Sequence, residues 1–450
     1  MKKINVGSDF SWVGAFNQAI SRIKEFDFNH IFACDMDKFA RQSYIANYGE
    51  PGYYPENVYD RKIPMESLDI YMTSPPCQSF SLAGKRKGKD SKNGVLFFNS
   101  HDFIKKNKPR FFIFENVKGL LSDDSGRTFQ EWINWLGGKS VNGLPILFKD
   151  ENSVDYHIYW RVLNSKNHGV PQNRERVFIV GIRDDADNNF HWPKEFTLKK
   201  RLKDVLEINV DEKFYLSDNA INRLCNNDSV FSSIPKESED IASTVCASDY
   251  KIARGMNVLK VNSATKKGYE LATENDSINL SNPNSETRRG RVGKEVAQTL
   301  DTSCNQGVMV AHVSRSEEGK RLRRESMANG KDFTPFQAKQ VSFKSSDVMN
   351  CVTTATTKDN LIIDHRGHIN KPPNVITNGI IPTLRAESHG HQPKVVTDYK
   401  IRRLTPRECF RLQDFPDTFK FVCSDSQLYK QAGNSITVRV LELIIRQFKL

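Results

Sequence analysis

Three short stretches carry residue types that could act on one substrate. "SPPCQSFSLAGKRKG" (Ser74 to Gly88) sets one thiol, Cys77, directly behind two prolines at the end of an apolar run. Proline fixes φ and removes an amide donor, so Cys77 stands on a stiff base. The thiolate is the reactive form of cysteine, and a positive or donor-rich setting favours it. Gln78, Ser79, Ser81 and the basic run Lys85–Lys87 could supply that setting. From these residues alone, a buried structural cysteine in a strand-to-loop turn reads equally well. "ENV" ends the most apolar run with Glu115, where burial favours an acid that keeps its proton. "QNRER" alternates Arg174 and Arg176, which point to the same side if the segment is extended. Paired arginines seek carboxylates or phosphates, and Glu115 is the obvious partner.

The elements that must position these groups are legible in the first 183 residues. "KINVGSDF", "HIFACD", "LDIYMTSP" and "RFFIFENV" read as strands, and so do "YHIYWRVLN" and "RVFIVGIR". Helical patterns follow the first strand, from about Ala15 to Phe26, and the second, in "DKFARQSYIANY". Continuous apolar runs indicate strands buried on both faces, hence an α/β fold with a doubly wound, mostly parallel sheet. Ligands of such sheets lie at the carboxyl ends of the strands. Gly7 to Gly14, Asp35, Cys77 and Glu115 all fall there.

Composition narrows the partner. The chain has 450 residues, enough for two lobes at roughly 100–200 residues per domain. Its net charge of +12 suits a polyanion, nucleic acid foremost. The eight cysteines include no C-x-x-C pair, which argues against zinc and disulfide scaffolds and for a reducing compartment. No apolar run approaches the ~20 residues of a membrane span. The expectation is a cytoplasmic, metal-free monomer.

Residues 184–400 change character and become rich in Ser, Thr, Asn, Gly and charge. A short pattern recurs in "IASTVCAS", "VAQTLDTS", "NCVTTATT" and "IIPTLRAE", which centre on Thr244, Thr299, Thr353 and Thr383. Chance recurrence in β-rich sequence is one reading; a repeated β-unit that presents threonines on one surface is the other. "TRRGRVGK" brings Arg288, Arg289 and Arg291 between these units, as phosphate contact requires, although a solvated charged face has the same look. From residue 401 the chain turns helical, with Thr405, Pro406 and Glu408 spaced as a capping box. This last segment, 401–450, is expected to rejoin the first lobe.

The series "PPCQ" with "SFS", "ENV", "QNRER", "RRLTPREC-RLQDFPD" and "QAGNS" resembles, in content and order, the motif set of the C5-cytosine DNA methyltransferases of bacterial and phage type. The resemblance implies an S-adenosylmethionine-dependent catalytic lobe over 1–183 and 401–450. It makes 184–400 a β-rich target recognition domain that binds double-stranded DNA. By the same resemblance Cys77 attacks C6 of a flipped cytosine and Glu115 protonates or hydrogen-bonds N3. The methyl group of S-adenosylmethionine then passes to C5. Arg176 contacts the cytosine oxygen, and Arg174 supports the loop and the thiolate. Gln78 and Ser81 join Arg288, Arg289, Arg291 and the four threonines as DNA contacts.

On the cofactor side, "DFSWVGAF" stands where the family has F-x-G-x-G-G. Phe10 and Gly14 match that pattern, whereas Trp12 replaces its first glycine. Asp35 stands for the usual Glu at the ribose, Met36 for an apolar neighbour of the adenine, and Asn57 falls near the adenine-binding Asp. Pro76, Leu96, Asn434 and Ser435 match further cofactor positions. The implied role is protection of host or phage DNA against restriction, with a cognate endonuclease as a candidate partner. Two alternatives stay open: a tRNA cytosine-5 methyltransferase, and a catalytically impaired DNA-binding protein that keeps the fold.

Overall fold

The computed structural model describes residues 1–75, 95–186, 189–208, 210–217, 220–221, 232–233, 257–283, 285, 287–303, 305–312, 361–364, 374–376, 394–396 and 398–450. The chain divides into two compact units. The first comprises Met1–Val210, Glu295–Gln306 and Leu404–Leu450; the second comprises Asp211–Lys294 and Gly307–Arg403.

The first unit is built on an eight-stranded sheet. Its strands are β1 (Lys3–Asp9), β2 (Asp27–Cys34), β3 (Ile70–Thr73), β4 (Phe111–Val117), β5 (Ser140–Val141), β6 (Leu144–Pro145), β7 (Tyr156–Asn164) and β9 (Glu175–Arg183). The order across the sheet is β2-β1-β3-β4-β9-β7-β5-β6. The first four strands are mutually parallel. Strand β9 then runs antiparallel to both β4 and β7. The sheet is therefore mixed and mostly parallel, and the two-sided burial read from "RVFIVGIR" is real while the direction of that strand is reversed. An antiparallel strand inside a covered sheet is as apolar as a parallel one, because burial and not direction sets the pattern.

The order changes direction around β1, since the chain goes from β1 outward to β2 and crosses back to β3. Such a switch point opens a crevice at the carboxyl ends of the strands. Helices α1 (Ala15–Ile20) and α2 (Lys38–Tyr48) follow β1 and β2. Helix α1 is shorter than its apolar pattern suggests. Asp37 caps α2 by accepting from the amides of Phe39 and Ala40. Helices α3 (Val95–Asn107) and α4 (Arg127–Leu136) help build an aromatic core, in which Phe97 stacks on Trp132 with ring centroids 4.0 Å apart. The C-terminal segment supplies α5 (Pro406–Arg411), α6 (Asp425–Asn434) and α7 (Val438–Ile445). Thr405 and Glu408 form the capping box of α5 with Pro406 in its first turn.

Two outlying segments also belong to the first unit. Residues 184–210 continue from β9, and β15 (Ala297–Gln298) pairs in parallel with β8 (Gln172–Asn173). The second unit is antiparallel in its described pairs. Its strands are β10 (Ser232–Ser233), β11 (Asn257–Asn262), β12 (Tyr269–Ala272), β13 (Ser277–Asn279), β14 (Val292–Gly293), β16 (Gln306–His312), β17 (Leu361–Asp364), β18 (Asn374–Ile376), β19 (Lys394–Val396) and β20 (Asp398–Arg403). Leu259, Val261, Ala272, Ile278, Met309 and Ile401 form its core. Among the described residues no helix is long and apolar enough to cross a membrane.

Candidate active site

Strand register places the acid and one arginine together. Glu115 lies opposite Phe178 and Val117 opposite Arg176, so Glu115 and Arg176 are diagonal neighbours on one face of the sheet. Nε of Arg176 stands 3.2 Å from Oε1 of Glu115, a carboxylate that is 5% exposed. The Ser74 hydroxyl donates to Oε2 of the same carboxylate at 2.6 Å. A buried carboxylate is thus held on one side by a fixed cation and on the other by a hydroxyl. It lies at the carboxyl end of β4, next to the strand whose continuation carries Cys77. Pro76, Cys77, Gln78 and Ser81 lie outside the described residues, as do Thr244, Thr353 and Thr383.

Arg174 does not share the Glu115 site. It falls in the break between β8 and β9, so the alternation expected of a continuous strand does not reach it. Its side chain is buried and donates to the carbonyls of Leu300 (3.3 Å), Gly433 (3.0 Å) and Ser435 (2.7 Å). It braces the end of α6 against the 295–306 segment.

Of the residues expected to hold a cofactor, Phe10, Trp12 and Gly14 lie in the loop after β1, next to Asp35. Phe10, Trp12 and Gly14 have φ of 55°, 49° and 82°. Trp12 therefore keeps the left-handed backbone that glycine favours, at a cost of about 1–2 kcal/mol for a residue with a Cβ. Its backbone amide donates to Oδ2 of Asp35 at 2.8 Å, and its indole Nε1 donates to the Gln431 carbonyl in α6 at 2.8 Å. The Lys430 ammonium lies 5.6 Å from the indole centroid and pairs with Asp37 at 2.7 Å. The indole is thus directed to the C-terminal helix, which explains how a large side chain is accommodated at a glycine position. Gly14 has no such freedom, because a Cβ there would lie 2.3 Å from the Tyr48 ring.

Asp35, directly after β2, is buried, with its second oxygen accepting from the Asp37 amide at 2.9 Å. Burial pushes its pKa up to about 6, against the pull of the Asp37 and Trp12 amides. Met36, beside it, is 82% exposed, an apolar side chain left open at the crevice. Leu96 is partly buried against the aromatic core, Ser435 is buried, and Asn434 is exposed at the end of α6. Asn57 is exposed in a turn, its side chain accepting from the Tyr59 amide.

Among the expected DNA contacts, Arg291 needs correction. It is 1% exposed, and its guanidinium donates to the carbonyls of Asn279, Ser281, Asn282 and Pro283. A side chain so enclosed braces its own loop and is not presented to a phosphate. Arg289 is exposed and donates to the Ala264 carbonyl, and Arg288 is half-buried. The Thr299 hydroxyl donates to the Asn173 carbonyl within the first unit, at 2.9 Å.

Sequence reasoning missed two groups. Ser74 carries no motif signal beyond the prolines that follow it. Asp9 and Arg61 form a buried pair at 2.8 Å, with the Tyr71 hydroxyl donating to Asp9 at 2.6 Å, directly before the Phe10 loop. An Asp at the carboxyl end of β1, directly before the Phe10 loop, is the sign the sequence offers.

A family model for C-5 cytosine-specific DNA methylases matches residues 4–450. The orphan methyltransferase M.SPRI of Bacillus phage SPR is 30% identical, covering 99% of this chain and 98% of its own. The type II methyltransferase M.BanI of Aneurinibacillus aneurinilyticus is 26% identical, covering 96% and 91% respectively. Among solved structures, the methyltransferase EhMeth of Entamoeba histolytica covers 99% of this chain and 98% of its own at 15% identity, with a TM-score of 0.50.

Proposed function

The chain belongs to the C-5 cytosine-specific DNA methylases, and on that premise we propose that it methylates C5 of a cytosine flipped out of double-stranded DNA, through a covalent bond from Cys77 to C6. The observation that carries this reading is the buried Glu115 carboxylate between Arg176 and Ser74, beside the strand that leads to Cys77.

The cofactor of this reading is S-adenosylmethionine. The residues at the switch point fit it: a buried carboxylate, Asp35, stands beside the open apolar surface of Met36. Phe10, Gly14, Asp35, Met36, Leu96 and Ser435 would hold it, with Trp12 acting on their arrangement through Asp35 and α6. Bound there, it supplies an electrophilic methyl group.

The chain's own residues do the rest. The Cys77 thiolate adds to C6, and the electron pair of the C5–C6 double bond becomes available at C5. Glu115 gives its proton to N3, which makes that addition less costly. Arg176 places a fixed cation at the cytosine oxygen, where negative charge develops. Once C5 carries the methyl group, its proton leaves to solvent. The electron pair re-forms the C5–C6 bond, Cys77 departs as thiolate, and N3 returns its proton to Glu115.

The type II name of one relative supports a role in protecting DNA against a restriction endonuclease. The orphan name of another supports action without a dedicated endonuclease. The reading includes a monomer that works in the cytoplasm, with residues of the second unit reading the DNA sequence. Incubation with labelled S-adenosylmethionine and mixed-sequence DNA, followed by bisulfite sequencing, should show 5-methylcytosine within one or a few short sites. Cys77→Ser should remove it. Label confined to RNA, or retained turnover by Cys77→Ser, would overturn the reading.

A further inference from the structure

Resting on the methyltransferase reading above, we propose that Ser74 is a positioning residue that holds the Glu115 carboxyl in its proton-transfer geometry. Strands β3 and β4 are parallel, and their last paired residues are Thr73 and Phe114. One step beyond the ladder, Ser74 stands beside Glu115 and Pro75 beside Asn116. Side chains continue the pairing where the backbone ladder stops. The Ser74 hydroxyl donates to Oε2 of Glu115 at 2.6 Å, and the Asn116 amide approaches the Pro75 carbonyl at 3.5 Å. Thr73, one residue earlier, is tied to Ser100 by a hydroxyl pair at 2.8 Å. The end of β3 is therefore anchored on both sides.

The chemistry of the two oxygens of Glu115 gives this contact its role. Oε1 faces the Arg176 guanidinium, a group that only donates, so the proton of the acid form belongs on Oε2. Oε2 is the oxygen that Ser74 touches. Oε2 has two lone pairs: Ser74 donates to one, and the proton exchanged with N3 occupies the other, so the hydroxyl keeps its contact in both states without moving its oxygen. The carboxyl then keeps one orientation through both halves of the proton cycle. An alanine could not do this.

The test compares Ser74→Ala, Ser74→Thr and Glu115→Gln with the parent. Release of tritium from DNA carrying [5-³H]cytosine measures turnover; titrations measure S-adenosylmethionine and DNA affinity; thermal melts measure folding. Ser74→Ala should lose about 10–100-fold in kcat, as misplaced general acids do, with both affinities and the melting temperature held within error. Ser74→Thr, which keeps the hydroxyl, should recover most of that loss. If Ser74→Ala turns over like the parent while Glu115→Gln is inactive, the Ser74 role is wrong and the methyltransferase reading stands. If Ser74→Ala loses affinity, melting temperature and kcat together, the hydroxyl is merely structural and the proposal also fails. If the parent itself releases no tritium, the functional reading falls and takes this role with it.

Discussion

Replacing Arg174 and Arg176 one at a time by methionine separates a strut from a group that acts at the reaction. The two arginines stand two positions apart in the sequence and differ in everything around them. Arg174 is 2% exposed and donates to three carbonyls, of Leu300, Gly433 and Ser435. In Arg174→Met those acceptors lose a charged donor, and each buried polar group so stranded costs about 1–3 kcal/mol. Methionine returns part of this by sparing the burial of a guanidinium, which alone costs several kcal/mol. The longest contact, at 3.3 Å, is the weakest of the three. A net loss of about 3 kcal/mol follows, which at roughly 2–4 °C per kcal/mol lowers the melting temperature by about 6–12 °C. Arg176→Met should behave in the opposite way. It is half-buried, and Ser74 still donates to its Glu115 partner, so the melt should move less than that of Arg174→Met. Its loss removes a fixed cation from the reacting base, worth about 10²–10³ in kcat. Thermal melts read alongside single-turnover methylation at a temperature where both variants are folded decide the matter. If Arg174→Met melts like the parent and loses turnover as Arg176→Met does, the strut reasoning is refuted.

Three further substitutions give outcomes that can be measured. Burial raises the folded pKa of Asp35 to about 6, above the ordinary carboxylate range. Its protonation therefore favours the folded state, a contribution present below about pH 4 and lost as pH rises through about 6. Asp35→Asn should accordingly gain stability relative to the parent over that rise, and an unchanged difference between the two melts would contradict it. Because ribose hydroxyls need the ionised carboxylate, S-adenosylmethionine affinity measured by calorimetry should weaken below about pH 6 in the parent and lose that dependence in Asp35→Asn. Trp12→Phe keeps the ring but loses the indole donor to Gln431, and should weaken cofactor binding about 5–10-fold, the value of one hydrogen bond of roughly 1 kcal/mol; equal affinity would show that the tie to α6 does not shape the site. Gly433→Ala puts a Cβ 2.4 Å from the Asp301 carbonyl oxygen and 2.6 Å from its carbon. Backbone cannot yield as a side chain does, so a loss of about 1–3 kcal/mol is expected in denaturant melts, and a change near zero would mean that the 295–306 segment shifts freely.

The features read correctly from the sequence are those whose cause is local. The capping box of α5 needs only Thr405, Pro406 and Glu408, three neighbours whose hydrogen bonds close within one turn. The run "RFFIFENV" reads as a buried strand because six consecutive residues of β4 are buried, and Glu115 lies near its carboxyl end. What stayed hidden was the choice of partner across long separations. Alternation predicted one face for Arg174 and Arg176, but it holds only within an unbroken strand, and the break before Glu175 sends Arg174 to carbonyls 126, 259 and 261 residues away. Asp9 finds Arg61 across 52 residues for the same reason: a buried charge is satisfied by whatever donor the topology delivers. Arg291 shows the converse error, since an Arg–Gly cluster looks alike in sequence whether its guanidinium faces a phosphate or is enclosed by its own loop. Trp12 joins the two kinds of information. Its type broke a local glycine pattern, and only the return of α6 to the sheet, more than 400 residues later, supplies the carbonyl that accommodates it. A departure from a motif is therefore best weighed against what the distant chain brings to that spot, and in this protein the departure is matched by a bond.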